Sequence, residues 1–188
     1  MYQTTDFRKG LKIEIDGKPF IIVDFQHVNP GKGSAFVRTK MKNLETGQVL
    51  ERTFKAGVET VKRPDMEEKE MEYMYSDAEG HFFMDQESYE TIQLRNDQVG
   101  ETKNFLQEGI HITILYFNNR PISLEAPNFV NLTVTETDPG LKGDTATGGL
   151  KKAILNTGLQ VNVPLFIKEG EVLKIDTRTS EYVERVKK

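Results

Sequence analysis

Short runs of alternating apolar and polar residues make up most of this 188-residue chain. Alternation with a period of two is typical of strands that bury one face. In residues 35–44 the cations Arg38, Lys40 and Lys42 take every second position, so they would share one face of a strand. No stretch has the periodicity of a helix longer than about two turns. The pattern therefore predicts an all-β fold.

Turn-rich segments divide these strands into three parts. Residues 11–62 predict about four or five short strands, joined by turns such as Asp16-Gly17, and this density suggests a small SH3-like barrel. A first boundary is expected at Pro64, where the net charge changes sign, and a second at Pro127. The predicted domains are residues 1–64, 65–127 and 128–188.

The net charge of −4 hides an uneven distribution. Residues 1–64 carry 12 basic and 7 acidic side chains, whereas residues 65–127 carry 4 basic and 14 acidic ones. Either this is ordinary surface variation, or the N-terminal part meets a polyanion while the acidic middle avoids it or faces a basic protein. Because the whole chain is acidic, any contact with nucleic acid must be local.

The composition excludes several kinds of site. With no cysteine, the chain can form no disulfide, iron–sulfur centre or thiol nucleophile. Its three histidines are far apart in the sequence, and Gly31-Lys32 lacks the other residues of a phosphate-binding loop. No run approaches the ~20 apolar residues of a membrane span, and the N-terminus has no apolar signal region. We therefore expect a cytoplasmic protein that is not an enzyme and needs no cofactor, metal or membrane.

Lys32 stands between two glycines in the turn cluster at residues 29–34. Glycine on either side permits positive φ and leaves the amine unshielded, and flanking strands of ~8 residues would hold it roughly 25 Å from the hairpin base. One interpretation is a plain surface hairpin whose lysine adds solubility. The other is a lysine held out as a probe, or as the substrate of a modifying enzyme. Arg38, Lys40 and Lys42 beside it form either an ordinary polar face or a cationic edge that pairs with phosphates.

Several independent motifs resemble the bacterial translation elongation factor P family. They cover nearly the whole chain and comprise DFRKG at residues 6–10, VNPGKGSAF at 28–36, PIS at 121–123, PNFV at 127–130, TDPGLKGDTA at 137–146, a C-terminal pattern that runs from Lys151 through VNVP at 161–164 to Gly170, and DTR and EYV at 176–178 and 181–183. The resemblance implies an SH3-like barrel, followed by two OB-type barrels in an L-shaped, tRNA-like arrangement.

The resemblance also implies a function. Members of the family bind both subunits of the ribosome between the peptidyl and exit sites, and they promote peptide-bond formation at consecutive prolines. Proline is a poor reactant there because its ring restricts φ and misplaces the reacting ends. The tip loop of Pro30, Gly31, Lys32 and Gly33 would lie beside the CCA end of the peptidyl-site tRNA. The factor orders that end and does no bond chemistry itself.

Further sites are carried over by motif. In the family the tip lysine is commonly extended by a modifying enzyme, so such an enzyme is an expected partner of Lys32. The loop of Gly143, Asp144, Thr145 and Ala146 matches one that reaches the mRNA codon in the exit site, although it could be an ordinary OB-fold loop. Tyr182 and Arg185 match a pair associated with tRNA and the small subunit, and a structural role is an equal alternative. A monomer is expected.

Two other functional classes remain open from the residues alone. Small β-barrels with basic edges often bind RNA without being elongation factors, so a general RNA-binding module is the first alternative. The second is an enzyme that uses Lys32 to form a Schiff base. An exposed tip offers no desolvation that would lower the pKa of such an amine, which disfavours this alternative.

Overall fold

The computed structural model describes residues 1–140 and 149–187, and these residues are mostly strands. The sixteen strands are β1 Tyr2–Gln3, β2 Lys12–Ile15, β3 Lys18–Val28, β4 Phe36–Asn43, β5 Val49–Lys55, β6 Thr60–Val61, β7 Met66–Ser76, β8 His81–Asp85, β9 Thr91–Leu94, β10 His111–Phe117, β11 Arg120–Glu125, β12 Phe129–Thr137, β13 Leu150–Leu155, β14 Gln160–Pro164, β15 Val172–Asp176 and β16 Glu181–Arg185. The prediction of an all-β fold is confirmed.

Helical structure in the described residues is confined to short segments. A helix, α1 Asn96–Val99, continues into a 3₁₀ segment at Gly100–Phe105, and a second 3₁₀ turn covers Thr4–Asp6. The 3₁₀ segment ends at Phe105, because the next residue, Leu106, is buried and adopts an extended backbone.

The N-terminal strands form an antiparallel sheet in the order β2-β3-β4-β5, with β1 paired to β6. The amide of Glu14 donates to the carbonyl of Lys62 at 2.9 Å, which joins β2 to the end of β6. One face of this sheet is buried around a single apolar cluster. Its buried members are Phe7, Leu11, Ile13, Phe20, Ile22, Val37, Met41, Phe54 and Val61.

Two further antiparallel sheets follow. The first has the order β11-β10-β7-β8-β9, and the second has the order β14-β13-β12-β15-β16. In the second sheet, strand β12 is central because it pairs with β13 through its C-terminal half and with β15 through its N-terminal half. The side chain of Phe105 packs into the core of that sheet with Leu132, Val163 and Leu173.

The described residues form two compact units. One combines Met1–Glu68 with Leu115–Ser123, and the other combines Lys69–Ile114 with the described residues from Leu124 onward. The division of the chain into domains at residues 64 and 127 stays a prediction.

Candidate functional site

Strands β3 and β4 form the hairpin that carries Lys32. Their register runs from Phe20 opposite Asn43 to Val28 opposite Phe36, with one irregularity after Ile22. Along β4 every second residue is buried, as the alternation predicted, so one face of the hairpin packs into the core and the other faces solvent. The eight residues of β4 extend over about 26 Å.

The hairpin is supported along its length by a third strand. Residues 36–42 pair with β5 from Lys55 back to Val49, and the amide of Ala56 donates to the carbonyl of Ala35 at 2.9 Å. The sequence predicted two strands holding the lysine away from the hairpin base. The structure adds β5 beside them, so only the tip loop, residues 29–35, projects beyond the sheet.

The tip loop leaves Lys32 exposed between two exposed glycines. Gly33 has φ +114°, in the region that favours glycine, whereas Gly31 lies outside that region. A Cβ atom at Gly31 would meet nothing within 4 Å, and one at Gly33 would only touch the ring of half-buried Pro30 at 3.8 Å. Among the described residues, the ammonium group of Lys32 has no hydrogen-bond or ion-pair partner. The loop therefore presents a free primary amine at the end of a hydrogen-bonded sheet.

Arg38, Lys40 and Lys42 all lie on the exposed face of β4, and together we call them the cationic stripe. Because β4 pairs with both β3 and β5, the stripe follows an interior strand of the sheet rather than an edge. This differs from the predicted edge, because sequence alternation shows which face a residue occupies but not which strands flank it. The stripe starts at Arg38, three residues after Ala35, which is the last residue of the tip loop.

The three cations of the stripe have different neighbours. Lys40 lies between Asp24 on β3 and Glu51 on β5, whereas Arg38 lies between Gln26 and Thr53. Asp24 accepts a hydrogen bond from Lys9 and also forms an ion pair with it at 3.1 Å. These contacts, with a smaller contribution from Lys40, hold the pKa of Asp24 below its ordinary value. The charge of Lys40 is therefore partly balanced, and that of Arg38 is not.

The C-terminal pair is held by contacts with the core of the C-terminal sheet and with the segment that joins β14 to β15. Tyr182 is half-buried against the core of that sheet. Arg185 donates to Glu171 at 3.0 Å, and its guanidinium lies 5.3 Å from the ring centre of Phe166. The pKa of Glu171 is lowered, first by the amide of Lys168 and then by Arg185. These contacts give Arg185 a structural task, and its assignment as a tRNA contact stays a prediction.

The remaining predicted loop, Gly143 to Ala146, lies outside the described residues. One cluster that the sequence did not single out lies on the same C-terminal sheet. Phe129 is 43% exposed, with Lys174 at 4.8 Å and Arg178 at 5.4 Å from its ring centre. In the sequence, the one signal for this cluster is an aromatic residue, Phe129, directly after the Pro127-Asn128 turn.

In the described ranges 1–140 and 149–187, no three histidine, aspartate or glutamate side chains are grouped so that they could hold a metal ion. Nor does any helix in these ranges have the length and apolar character needed to cross a membrane.

Comparisons with known families match the chain in three segments. The model described as elongation factor P (EF-P) KOW-like domain matches residues 3–59, the EF-P OB domain matches residues 66–124, and elongation factor P, C-terminal, matches residues 130–185. These matches and the all-β architecture confirm the predicted combination of an SH3-like and OB-type fold.

The relatives cover the whole chain. It is 54% identical over 186 residues to elongation factor P of Bdellovibrio bacteriovorus, which covers 99% of this chain and 98% of that protein. It is 53% identical over 185 residues to elongation factor P of Moorella thermoacetica, with 98% and 100% covered.

Solved structures agree in fold at lower identity. "Eukaryotic translation initiation factor 5A from Methanococcus jannaschii" is 21% identical with a TM-score of 0.57, and the match covers 66% of this chain and 90% of that one. A translation initiation factor eif-5a family protein from Naegleria fowleri is 17% identical with a TM-score of 0.51, covering 65% and 95%. At the identity and coverage found for the bacterial relatives, the chain belongs to the elongation factor P family of translation elongation factors.

Proposed function

We propose that the chain binds both subunits of the ribosome between the peptidyl and exit sites and promotes peptide-bond formation at consecutive prolines. The observation that carries this proposal is the free amine of Lys32 at the tip of the β3–β4 hairpin, which β5 supports. A rigid support and a short loop can bring one cation to a defined point inside a narrow site. Family membership supports the setting, since the relatives are elongation factors.

The role that we propose for Lys32 is to position the reacting groups. Two prolines restrict the backbone of the nascent chain, so the reacting ends meet in poor geometry. A cation beside the CCA end of peptidyl-tRNA can hydrogen-bond phosphate and ribose oxygens and reduce the motion of that end. Holding reactants in a near-attack geometry lowers the barrier without any covalent step by the factor. An enzymatic modification that lengthens the Lys32 side chain would extend the same contact.

The other predicted residues act as anchors in this proposal. The cationic stripe meets backbone phosphates of tRNA or ribosomal RNA next to the tip loop. The loop from Gly143 to Ala146 approaches the mRNA codon in the exit site. Tyr182 and Arg185 approach tRNA or the small subunit from the C-terminal sheet.

Photocrosslinking from the tip tests this placement. A photoreactive amino acid replaces Lys32 in one variant and Lys18 in the control, because both lysines are exposed, and Lys18 begins β3 whereas Lys32 lies in the loop beyond its other end. Each variant is bound to ribosomes stalled at three prolines with labelled peptidyl-tRNA. We expect position 32 alone to label the 3′ end of that tRNA. Equal labelling from both positions, or none from position 32 while the factor co-sediments with ribosomes, would contradict the proposal.

A further inference from the structure

A basic cleft of about 440 Å³ opens on the first compact unit, and neither the tip loop nor the cationic stripe lines it. The charged residues around it are Arg8, Lys12, Arg63 and Glu68, and Tyr2 adds a phenol. Three cations against one anion leave a formal charge of +2. Arg8 belongs to the DFRKG motif and Arg63 precedes the proline at the predicted domain boundary, and the function proposed above uses neither.

Main-chain hydrogen bonds hold the chain at Arg8 and next to Arg63. Arg8 begins a tight turn in which its carbonyl accepts from the amide of Leu11 at 3.1 Å, with Gly10 at φ +85°. Arg63 follows Lys62, whose carbonyl is held by Glu14. In the part of the chain that the structure describes, neither guanidinium has an ion pair or a hydrogen-bond partner. Two guanidinium groups on one cleft therefore keep all their donors available.

The third cation of the cleft is already paired. The ammonium group of Lys12 donates to Glu68 Oε1 at 2.8 Å, and both side chains are partly exposed. This pair leaves the second carboxylate oxygen of Glu68 able to accept a hydrogen bond. The cleft thus offers planar donors for an oxyanion and a separate acceptor for a hydroxyl group.

We infer that this cleft binds one ribonucleotide unit of an RNA backbone, with the phosphate on Arg8 and Arg63 and the ribose 2′-hydroxyl on Glu68. Guanidinium groups match phosphate oxygens geometrically and are weakly hydrated, so they suit this contact. A carboxylate would repel a bare phosphate, but it accepts well from a sugar hydroxyl. The 2′-hydroxyl is the group by which a protein distinguishes RNA from DNA. The inference rests on the proposed function, which sets the chain among tRNA and ribosomal RNA, and this favours RNA over an acidic protein segment as the ligand.

Chemical-shift titration of the full chain tests the inference with defined probes. The ¹⁵N-labelled protein receives uridine monophosphate, its 2′-deoxy analogue, the dinucleotide UpU or inorganic phosphate. We expect the ribonucleotide and UpU to shift the side-chain Nε resonances of Arg8 and Arg63. The deoxy analogue should bind about threefold more weakly because one hydrogen bond is lost. If uridine monophosphate binds and UpU does not, the cleft is a site for a free nucleotide, and this result would overturn the RNA assignment.

Variants separate the two contacts. Arg8→Gln with Arg63→Gln should weaken ribonucleotide binding about tenfold, because two charge-assisted contacts are lost. The control Lys18→Gln with Lys103→Gln removes the same charge from two exposed lysines outside the cleft and should change little. An equal loss in both variants would mean that only net charge matters and would overturn the inference.

Substitution of Glu68 should raise the affinity for inorganic phosphate but lower the preference for ribonucleotide over deoxyribonucleotide. Glu68→Ala should strengthen binding of inorganic phosphate, because it removes a repelling carboxylate and frees Lys12. It should also bring the ratio of ribonucleotide to deoxyribonucleotide affinity close to one. A ratio that is unchanged in this variant, or inorganic phosphate binding the wild type as tightly as the ribonucleotide, would overturn the ribose contact.

The inference deepens the proposed function, and the two can fail separately. The titration uses the isolated chain and small ligands, whereas the crosslinking of Lys32 uses stalled ribosomes. An unoccupied cleft with normal Lys32 crosslinking would overturn only the inference.

Discussion

Thr39 is a buried polar residue at the middle of β4, between two cations of the stripe. Among the described residues its hydroxyl oxygen has no hydrogen-bond partner. Thr39→Val replaces that hydroxyl with a methyl group of similar size, and we expect it to stabilise the fold by about 1 kcal/mol because an unsatisfied polar group leaves the core. Urea unfolding measures the change.

The matched control for this prediction is Thr53→Val on the neighbouring strand. Thr53 is exposed, so its substitution should change stability by no more than about 0.5 kcal/mol. A destabilised Thr39→Val variant would show that the hydroxyl has a role in the native core.

His81 makes stability depend on pH. It is buried at the start of β8, and burial lowers the pKa of its imidazole below the ordinary value, with a smaller opposing hydrogen bond from Asn96. Below about pH 6.5 the unfolded chain therefore binds a proton before the folded chain does, so stability falls as the pH falls. We expect denaturant melts between about pH 6.5 and 5 to show this loss.

His81→Phe should remove that part of the pH dependence. Phenylalanine has no ionisable group and can pack beside Tyr73, whose ring lies 6.1 Å from the imidazole. If the variant and the wild type lose stability equally over this pH range, titration of His81 is not the cause.

At the scale of elements, the cationic stripe predicts unequal contributions from its members. For ribosome binding, the slope of log K against log salt concentration reports how many counterions are released. Arg38→Gln should reduce this slope by about one, because no acidic residue lies opposite Arg38 on either neighbouring strand. Lys40→Gln should reduce it less, since Asp24 and Glu51 flank that lysine. Co-sedimentation with ribosomes over a series of salt concentrations gives the slopes.

Lys18→Gln serves as the control for the stripe because it removes one exposed charge at the far end of β3. Its slope should match that of the wild type. Equal slopes for Arg38→Gln and Lys18→Gln would show that Arg38 makes no phosphate contact and is only an ordinary solvated residue.

The elements also show what the sequence could and could not predict. Alternation along β4 placed Arg38 and its neighbours on the correct face, because a period of two follows from strand geometry alone. The support of the hairpin by β5 agrees with the predicted series of strands joined by turns, but contacts between distant segments could not be predicted. The same limit hid the basic cleft, whose residues Arg8 and Arg63 are 55 positions apart in the sequence.

At the scale of the whole molecule, the exposed ion pairs contribute little to stability. The pair between Lys9 and Asp24 is typical, with side chains 70% and 62% exposed, and such pairs are worth about 0–1 kcal/mol. The apolar cores of the sheets therefore hold the fold, and the uneven charge is available for partners. This distribution agrees with the proposed function, in which the basic N-terminal part approaches RNA and the acidic middle does not.

The rate of a single peptide bond between two prolines tests the central claim most directly. Reconstituted ribosomes receive the natively expressed factor, Lys32→Ala, Lys18→Ala or no factor, and the same measurement with two phenylalanines is the comparison. We predict that the wild type and Lys18→Ala accelerate the proline reaction about tenfold or more, which is ~1.4 kcal/mol of activation free energy. Lys32→Ala should lose most of this acceleration, and the phenylalanine reaction should not respond. Equal acceleration by Lys32→Ala and the wild type, or an equal effect on phenylalanine, would contradict the account.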